Sequence, residues 1–308
     1  MERNFYLDCF RIFLSFLIIG LHFNFLSEVS PTVNYIFVQG ISRIAVPTFL
    51  IINGYYFFSI SSNTDFLKWL KRLYLLYSIW MIIYAYFWFH FNRPINSLIN
   101  FFFFGYYHLW YLISLLQCAL VFWLIKKHKT LLLICCFLFA IIGILLQYLN
   151  AFGIVSGLTT GHHRNFLFFC FPFFTIGYLI NKNKIHLRTA PHRNRIRVGI
   201  LIGIVFLLLE SYLNYKTTKE SFDILLSLYF LTPLLFIEFI NSKTVSNKKN
   251  LALISSSIYL SHVLVHYLLA LFFKTEANYS LLVMATFLIC YLVSFLLIHL
   301  NKRYKYIL

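Results

Sequence analysis

The first apolar segment of the chain carries four polar side chains that a helix would place on one face. They are Asp8, Arg11, Ser15 and His22. At about 100° per residue, all four directions fall within about 60° of one another. Because the rest of the segment is apolar, we expect this stripe to face neighbouring helices and not lipid. Histidine is the commonest general base, so His22 is a candidate catalytic residue with Arg11 on the same face, and a structural histidine is the alternative.

Arg11 and Arg43 are basic residues that lie inside apolar sequence. A cation at the centre of a membrane helix costs about 2.5–3.5 kcal/mol, and such residues usually have a function. For Arg11 the alternative is that its long side chain reaches the membrane interface. Both arginines are therefore candidate site residues.

The composition indicates what kind of protein positions these groups. Of 308 residues, 61% are hydrophobic, 21% aromatic and only 11% charged, whereas soluble domains are about a quarter charged. Lysine and arginine number 26 against 9 acidic residues, which in a soluble chain would suggest a nucleic-acid partner. The mean hydropathy of +0.78 excludes that class. The six cysteines have no paired spacing, so we expect neither a disulfide framework nor a metal site.

Ten stretches are apolar and long enough to cross ~30 Å of hydrocarbon as helices. Their expected limits are 7–26, 34–58, 69–91, 108–125, 130–150, 165–181, 198–215, 222–241, 251–273 and 280–300. The connections are too short to fold separately. Residues 1–308 are therefore expected to form a single domain, an all-α polytopic membrane helical bundle. Pro47 and Gly54 are expected to bend or break the second helix near Arg43.

The basic residues outside the spans predict the orientation. With the N-terminus inside, nineteen of them fall in inner loops and tails and five in outer loops. Short cytoplasmic loops accumulate lysine and arginine. Both termini are therefore expected to be cytoplasmic.

Four short motifs, spread from the first to the ninth expected span, agree in order and spacing with one known family. They are Leu-Asp-Cys-Phe-Arg at 7–11 with His22 eleven residues later, Ala-Val-Pro-Thr-Phe at 45–49 followed by Asn-Gly-Tyr at 53–55, His-Leu-Trp-Tyr-Leu at 108–112, and Ile-Tyr-Leu-Ser-His at 258–262. This set resembles the acyltransferase-3 family, integral membrane acyltransferases that modify bacterial envelope glycans. Two positions depart from the family pattern. Asn53 stands where the family usually has Ser, and Lys68 and Lys71 stand where Arg-x-x-Arg is common, which keeps the charge but weakens bidentate binding of phosphate.

The resemblance implies a multi-pass enzyme of the bacterial inner (cytoplasmic) membrane. It would move an acyl group, expected to be acetyl, from acyl-coenzyme A to a sugar hydroxyl of a surface polysaccharide such as an O-antigen, or of its lipid-linked precursor. Acyl-coenzyme A is then a substrate, and no bound cofactor is expected. His22 would deprotonate the hydroxyl or carry the acyl group itself.

The remaining candidate residues would bind substrates. Arg11 with Lys68, Lys71 and Arg72 at the inner face suits the coenzyme A phosphates, although the positive-inside rule alone accounts for the loop residues equally well. The other binding candidates are Arg43, His108, Trp110, Tyr259 and His262. Trp110 could equally be an interfacial belt residue.

Two histidines four residues apart, His262 and His266, have a spacing that can hold a metal. No third ligand is near them in sequence, so we expect hydrogen bonds to a neighbouring helix instead. The loop 162–164, His-His-Arg, is expected to be solvated.

Two other functional classes remain open. A transporter or flippase for lipid-linked glycan would also use intramembrane arginine and aromatic side chains, but the sequence shows no internal repeat of the kind common in transporters. A many-span glycan polymerase would usually carry a larger outer loop than any in this chain.

Overall fold

The computed structural model describes residues 4–185, 190–241, 250–272 and 279–308. Within these ranges the chain forms helices and no β-strand, which confirms the all-α prediction. The α-helices, numbered in chain order, are α1 Phe5–His22, α2 Pro31–Gln39, α3 Ala45–Phe57, α4 Asn63–Ile83, α5 Ala85–Trp88, α6 Ile95–Phe104, α7 Trp110–Ile125, α8 Lys129–Ala151, α9 Thr160–His163, α10 Phe171–Lys182, α11 Ala190–Thr217, α12 Leu226–Ile240, α13 Leu251–Phe272 and α14 Tyr279–Arg303. Short 3₁₀ turns at Ile41–Ile44 and Tyr107–Leu109 and a π-helical turn at Phe166–Cys170 adjoin them.

Seven helical stretches of the described chain are long and apolar enough to cross a membrane. They are Phe5–His22, Pro31–Phe57, Tyr107–Ile125, Lys129–Ala151, Arg193–Thr217, Leu251–Phe272 and Tyr279–Arg303. They coincide with seven of the ten expected spans and support a multi-pass membrane protein.

The other three expected spans, 69–91, 165–181 and 222–241, correspond to helices that differ from the prediction. The third corresponds to α4, which begins earlier and ends at Ile83. The sixth and eighth correspond to the shorter apolar helices Phe166–Lys182 and Leu226–Ile240. The latter has 15 residues, which at 1.5 Å per residue gives about 22 Å, less than the ~30 Å of a bilayer core. Both helices follow short non-helical segments.

The second span breaks at Arg43, where a break was predicted, but Pro47 and Gly54 do not cause it. Helix α2 ends at Gln39, and the chain then turns through Gly40 and Ile41–Ile44 before α3 begins. Pro47 is the third residue of α3, where a missing N–H breaks no intrahelical hydrogen bond. A side chain on Gly40 would collide with Ser211 of α11, so close packing at the turn requires glycine there.

Gly54 and Gly177 bring α3 and α10 into backbone contact. A Cβ on Gly54 would collide with the carbonyl group of Phe174, and one on Gly177 would collide with the carbonyl group of Ile51. Small residues allow membrane helices to approach this closely. Gly54 is therefore a packing residue and not a helix breaker.

Gly54→Ala and Gly177→Ala should each destabilise the protein by about 1–3 kcal/mol, because the added methyl group overpacks a backbone contact. Thermal unfolding of the detergent-solubilised protein measures this. Gly161→Ala is the control, because a Cβ there would have only the Thr159 hydroxyl nearby, at 3.8 Å. Equal stability of the Gly54→Ala and Gly161→Ala proteins would contradict the close approach of the two helices.

Helix α1 runs through the middle of the bundle and packs against α13, α3 and α12. Arg11 lies in its second turn and His22 is its last residue, about 16 Å further along the axis. We refer to the two ends of the bundle as the Arg11 end and the His22 end.

Glu28 joins the loop that follows α1 to the start of α14. Its carboxylate accepts hydrogen bonds from the N–H of Ser280 at 2.9 Å and from the Ser280 hydroxyl at 2.7 Å. Because α14 starts at the His22 end, it finishes at the Arg11 end, where α1 begins. The hydrogen bonds from Ser280, above all that of its hydroxyl, lower the pKa of Glu28 below its ordinary value.

Glu28→Gln should lower the melting temperature at neutral pH and have less effect in acid. Since the pKa of Glu28 is lower in the folded protein than in the unfolded chain, its contribution is complete above the unfolded pKa and is lost as pH falls through the folded pKa. Melting curves of both proteins from about pH 7 to about pH 3 measure this. Glu220→Gln, in another exposed loop, is the control. A difference in melting temperature that stays constant down to the acidic limit would contradict the expectation.

Candidate active site

Four interruptions of helical structure meet at the His22 end. Helix α1 ends at His22, the turn Ile41–Ile44 carries Arg43, the turn Tyr107–Leu109 carries His108, and the non-helical segment before α12 carries Asp223. At membrane depth, non-helical backbone is tolerated only where it is buried in protein or lines a cavity. We therefore take this end as the candidate active site.

Three histidines form a cluster of rings there. The ring centroids of His22 and His262 are 5.3 Å apart, and those of His108 and His262 are 4.8 Å apart. The ring of Tyr107 lies 4.8 Å from that of His22. The sequence marked the three histidines as separate candidates, and the fold brings them together from α1, α13 and the turn before α7.

His262 has one ring nitrogen engaged and one available. Its Nδ1 lies 2.7 Å from the carbonyl oxygen of Tyr259. Because a carbonyl oxygen only accepts, Nδ1 is the protonated nitrogen and donates this hydrogen bond. The Nε2 atom is buried and has no hydrogen-bond partner among the described residues. The prediction of a hydrogen bond to a neighbouring helix is wrong for His262, because its partner Tyr259 is one turn away on the same helix. It is right for His266, whose Nδ1 lies 3.1 Å from the hydroxyl of Thr286 on α14.

Tyr259 joins α13 to the turn that carries His108. Its hydroxyl donates a hydrogen bond to the His108 carbonyl oxygen at 2.5 Å, and the two rings are 5.5 Å apart. The Tyr259 hydroxyl therefore fixes the position of His108 relative to His262.

Arg43 is paired with an acid. Its guanidinium donates to the carboxylate of Asp223, to the side chain of Gln39 and, at 2.8 Å, to the hydroxyl of Ser221. The side chains of Arg43 and Asp223 are only 9% and 4% exposed. A buried ion pair is tolerated when the remaining donors are also satisfied, and Gln39 and Ser221 satisfy them here.

His163 and Arg164 belong to the same charged cluster, so the expectation of a solvated loop is wrong for them, whereas His162 is exposed as expected. His163 is buried, with Nε2 at 3.8 Å from an Asp223 oxygen. Arg164 lies 3.6 Å from the other oxygen, and its guanidinium stacks over the ring of Trp110 at 5.1 Å. Two guanidinium groups thus share one carboxylate, and Trp110 faces the site.

A small cavity of about 30 Å³ connects these groups. Its wall includes His22, Arg43, Trp110, Arg164 and Asp223. A cavity of this size holds about one water molecule. The cavity therefore has room for one small group.

The Arg11 end has a separate set of contacts. A nitrogen of Arg11 lies 3.5 Å from a carboxylate oxygen of Asp8, and the guanidinium lies over the ring of Tyr56 at 5.5 Å. The hydroxyl groups of Ser15 and Ser255 are 2.8 Å apart. Asp8 and Ser15 are buried, as expected for a polar stripe that faces other helices.

The three basic candidates of α4 also lie at the Arg11 end. Lys68, Lys71 and Arg72 are exposed. The first turns of α4 pack against the end of α3, where the rings of Phe57 and Trp69 are 5.3 Å apart. The candidate site residues therefore form two groups at opposite ends of α1.

A larger cavity of about 180 Å³ lies between the two ends. It is enclosed by α1, α3, α4, α7 and α13, and its wall is mostly apolar. Its polar groups include Asn53 and Tyr111, whose side chains form a hydrogen bond of 2.8 Å. Asn53, the residue that departs from the family pattern, therefore lines this cavity.

The site also contains three residues that the sequence did not predict for it: Asp223, His163 and Arg164. Asp223 is 180 positions from Arg43, so no local spacing connects them. One signal was present: Asp223 is among only nine acidic residues and stands at the start of an apolar stretch. A carboxylate in that position requires a positive partner.

The fold and the site define a multi-pass membrane enzyme, built from interrupted helices around a cluster of histidines and a paired charge. The chain belongs to the acyltransferase-3 family, because the model of that family, described as an acyltransferase domain, matches residues 4–299. This confirms the resemblance drawn from the four motifs and identifies the chain as an acyltransferase.

One curated relative is an amino-acid racemase of Enterococcus faecalis, which is 28% identical over 248 residues. The match covers 71% of this chain but only 32% of the relative, so this chain spans about a third of that protein's length. No solved structure matches the chain.

Asp223→Ala should destabilise the protein by about 3–5 kcal/mol, because it leaves the buried guanidinium of Arg43 without its counter-ion. Glu238→Ala is the control, since Glu238 pairs at 2.9 Å with the exposed Arg197 and such pairs contribute about 1 kcal/mol or less. Thermal unfolding in detergent distinguishes the two variants. Similar losses in both would contradict the burial of the Arg43–Asp223 pair.

Proposed function

We propose that this protein is an O-acyltransferase of the bacterial cytoplasmic membrane, and specifically an O-acetyltransferase. It takes the acyl group from acyl-coenzyme A and transfers it to a sugar hydroxyl of a surface polysaccharide or of its lipid-linked precursor. The racemase relative does not alter this proposal, since about two thirds of that protein lies outside the match.

One observation carries the proposal. A cavity of about 180 Å³ separates a basic end, with Arg11, from a histidine-rich end, with His22. An acyl-coenzyme A molecule has the same polarity, with phosphates at one end, an uncharged arm in the middle and the thioester at the other end. The protein thus offers complementary groups along the length of the donor.

The donor would bind with its phosphates at the Arg11 end. Arg11, Lys68, Lys71 and Arg72 provide positive charge there, and the positive-inside rule predicts that this end is cytoplasmic. The arm would extend through the apolar cavity, where Asn53 and Tyr111 offer hydrogen bonds to its amide groups. The thioester carbonyl would then reach His22.

His22 would act as the general base. It removes the proton from the sugar hydroxyl as the hydroxyl oxygen attacks the thioester carbonyl carbon. The C–S bond breaks, the new ester forms, and the coenzyme A thiolate takes a proton. In the second form of this mechanism the His22 ring first receives the acyl group and then passes it to the hydroxyl.

The neighbours of His22 would support this chemistry. The available Nε2 of His262 faces the cluster and can accept a hydrogen bond that orients the base. Arg43 and Arg164 line the cavity with His22, where positive charge stabilises the oxyanion of the tetrahedral intermediate. His262 is a positioning residue in this scheme.

His22→Ala should abolish acyl groups on the surface glycan and leave the chain length and export of the glycan normal. Mass spectrometry of the glycan checks this by the loss of the acetyl mass increment. His128→Ala, an exposed histidine far from the cluster in sequence, is the control and should leave acylation unchanged. Lost export with acylation intact would reject the enzyme in favour of the flippase, for which the two arginines of the cavity would bind a pyrophosphate.

A further inference from the structure

Two residues line both cavities and so form the wall between them. Ile18 and Val46 line the larger cavity and also line the small cavity of His22. Ile18 is one helical turn before His22, and Val46 is three residues after Arg43. Both side chains therefore stand between the apolar cavity and the reacting groups.

Ile18 and Val46 lie between the Arg11 end and the His22 end of the bundle, as the contacts of α1 with α3 show. Arg11 contacts Tyr56 near the end of α3, and His22 shares its cavity with Arg43, just before α3. The helices α1 and α3 thus run antiparallel, with Ile18 and Val46 at the same intermediate level. A path from Arg11 to His22 along the contact of α1 and α3 therefore passes these two side chains.

The volume beyond the pair is small. The His22 cavity has about 30 Å³, room for about one water molecule. If the donor enters from the Arg11 end, its acyl tail leads and must fit in this space once the carbonyl carbon reaches His22. A methyl group fits there, whereas two further methylene groups need the wall to move.

We propose that Ile18 and Val46 select the acyl group by its length, which makes the enzyme specific for acetyl over longer acyl groups. This rests on the proposed function and deepens it by naming residues that determine donor specificity. One methylene group in an apolar pocket changes kcat/KM by roughly 10–200-fold. Replacing either side chain with alanine removes part of the wall of the small cavity and should let a longer acyl chain fold back into the space that the side chain leaves.

The test uses the full-length protein in lipid nanodiscs, with the surface polysaccharide of cells lacking the gene as the acceptor. Transfer from acetyl-, propionyl- and butyryl-coenzyme A is measured as kcat/KM for each donor. The wild-type protein should prefer acetyl over butyryl by about 100-fold or more. Val46→Ala and Ile18→Ala should reduce this preference at least about tenfold, mainly by gaining activity with butyryl-coenzyme A.

Ile19→Ala is the matched control. Ile19 is as buried as Ile18 on the same helix but lines neither cavity, so it should lose comparable stability without a change in donor preference. Val46 is only half-buried, and its alanine variant keeps the test valid if Ile18→Ala does not fold.

The possible outcomes separate the two proposals. Equal use of butyryl- and acetyl-coenzyme A by the wild-type protein would overturn the inference, as would an unchanged preference in both alanine variants. Failure of the wild-type protein to transfer from any of the three donors would overturn the proposed function itself. A shift in preference that Ile19→Ala also shows would overturn the roles of Ile18 and Val46, because it would reflect general loosening of the bundle.

Discussion

The ion pair between Arg43 and Asp223 is the interaction on which the site depends. Each charge alone would be expensive to bury in an apolar bundle, and each is tolerated because the other is present. The pair joins the broken second span to the non-helical segment before α12. Gln147 of α8 holds that segment from the other side, because it accepts hydrogen bonds from the N–H groups of Asp223 and Ile224, both at 2.7 Å. A side chain thus accepts the hydrogen bonds of backbone N–H groups that have no helical partner in this segment.

The interruptions of the helices explain the shape of the site. A continuous helix presents few of its own atoms to a cavity, since its N–H and C=O groups are bonded within it and its side chains point outward. At the turns that carry Arg43 and His108, and before α12, the chain gives up helical bonds and brings side chains to one level. Side chains replace some of these bonds: the Tyr259 hydroxyl donates to the His108 carbonyl, and Gln147 accepts from the N–H groups before α12.

Part of this arrangement follows from the sequence and part does not. The polar stripe of α1 is a local pattern of period 3.6, so it predicts that Asp8 and Ser15 face the bundle, and they do. Seven of the apolar stretches are long enough to be found by their length alone. The Arg43–Asp223 pair connects residues far apart in sequence, and only the packing of α2, α8 and α12 brings them together. The break near Arg43 was predicted, but its cause was not, because a proline at the start of a helix cannot be distinguished in sequence from one within a helix until the helix start is known.

The bundle has polar groups at the Arg11 end and the His22 end and a mostly apolar cavity between them. This arrangement suits acyl transfer. A thioester carbonyl reacts with water as well as with a sugar hydroxyl, so an acyltransferase must keep water from the path between its donor-binding and reacting groups. Paired charges help in this, because Asp8 with Arg11 and Asp223 with Arg43 hold each other in place and need fewer water molecules to solvate them. Between these pairs, the apolar side chains of Ile18 and Val46 line both cavities. The two arginines that the composition alone could not explain are thus placed on either side of these two apolar side chains.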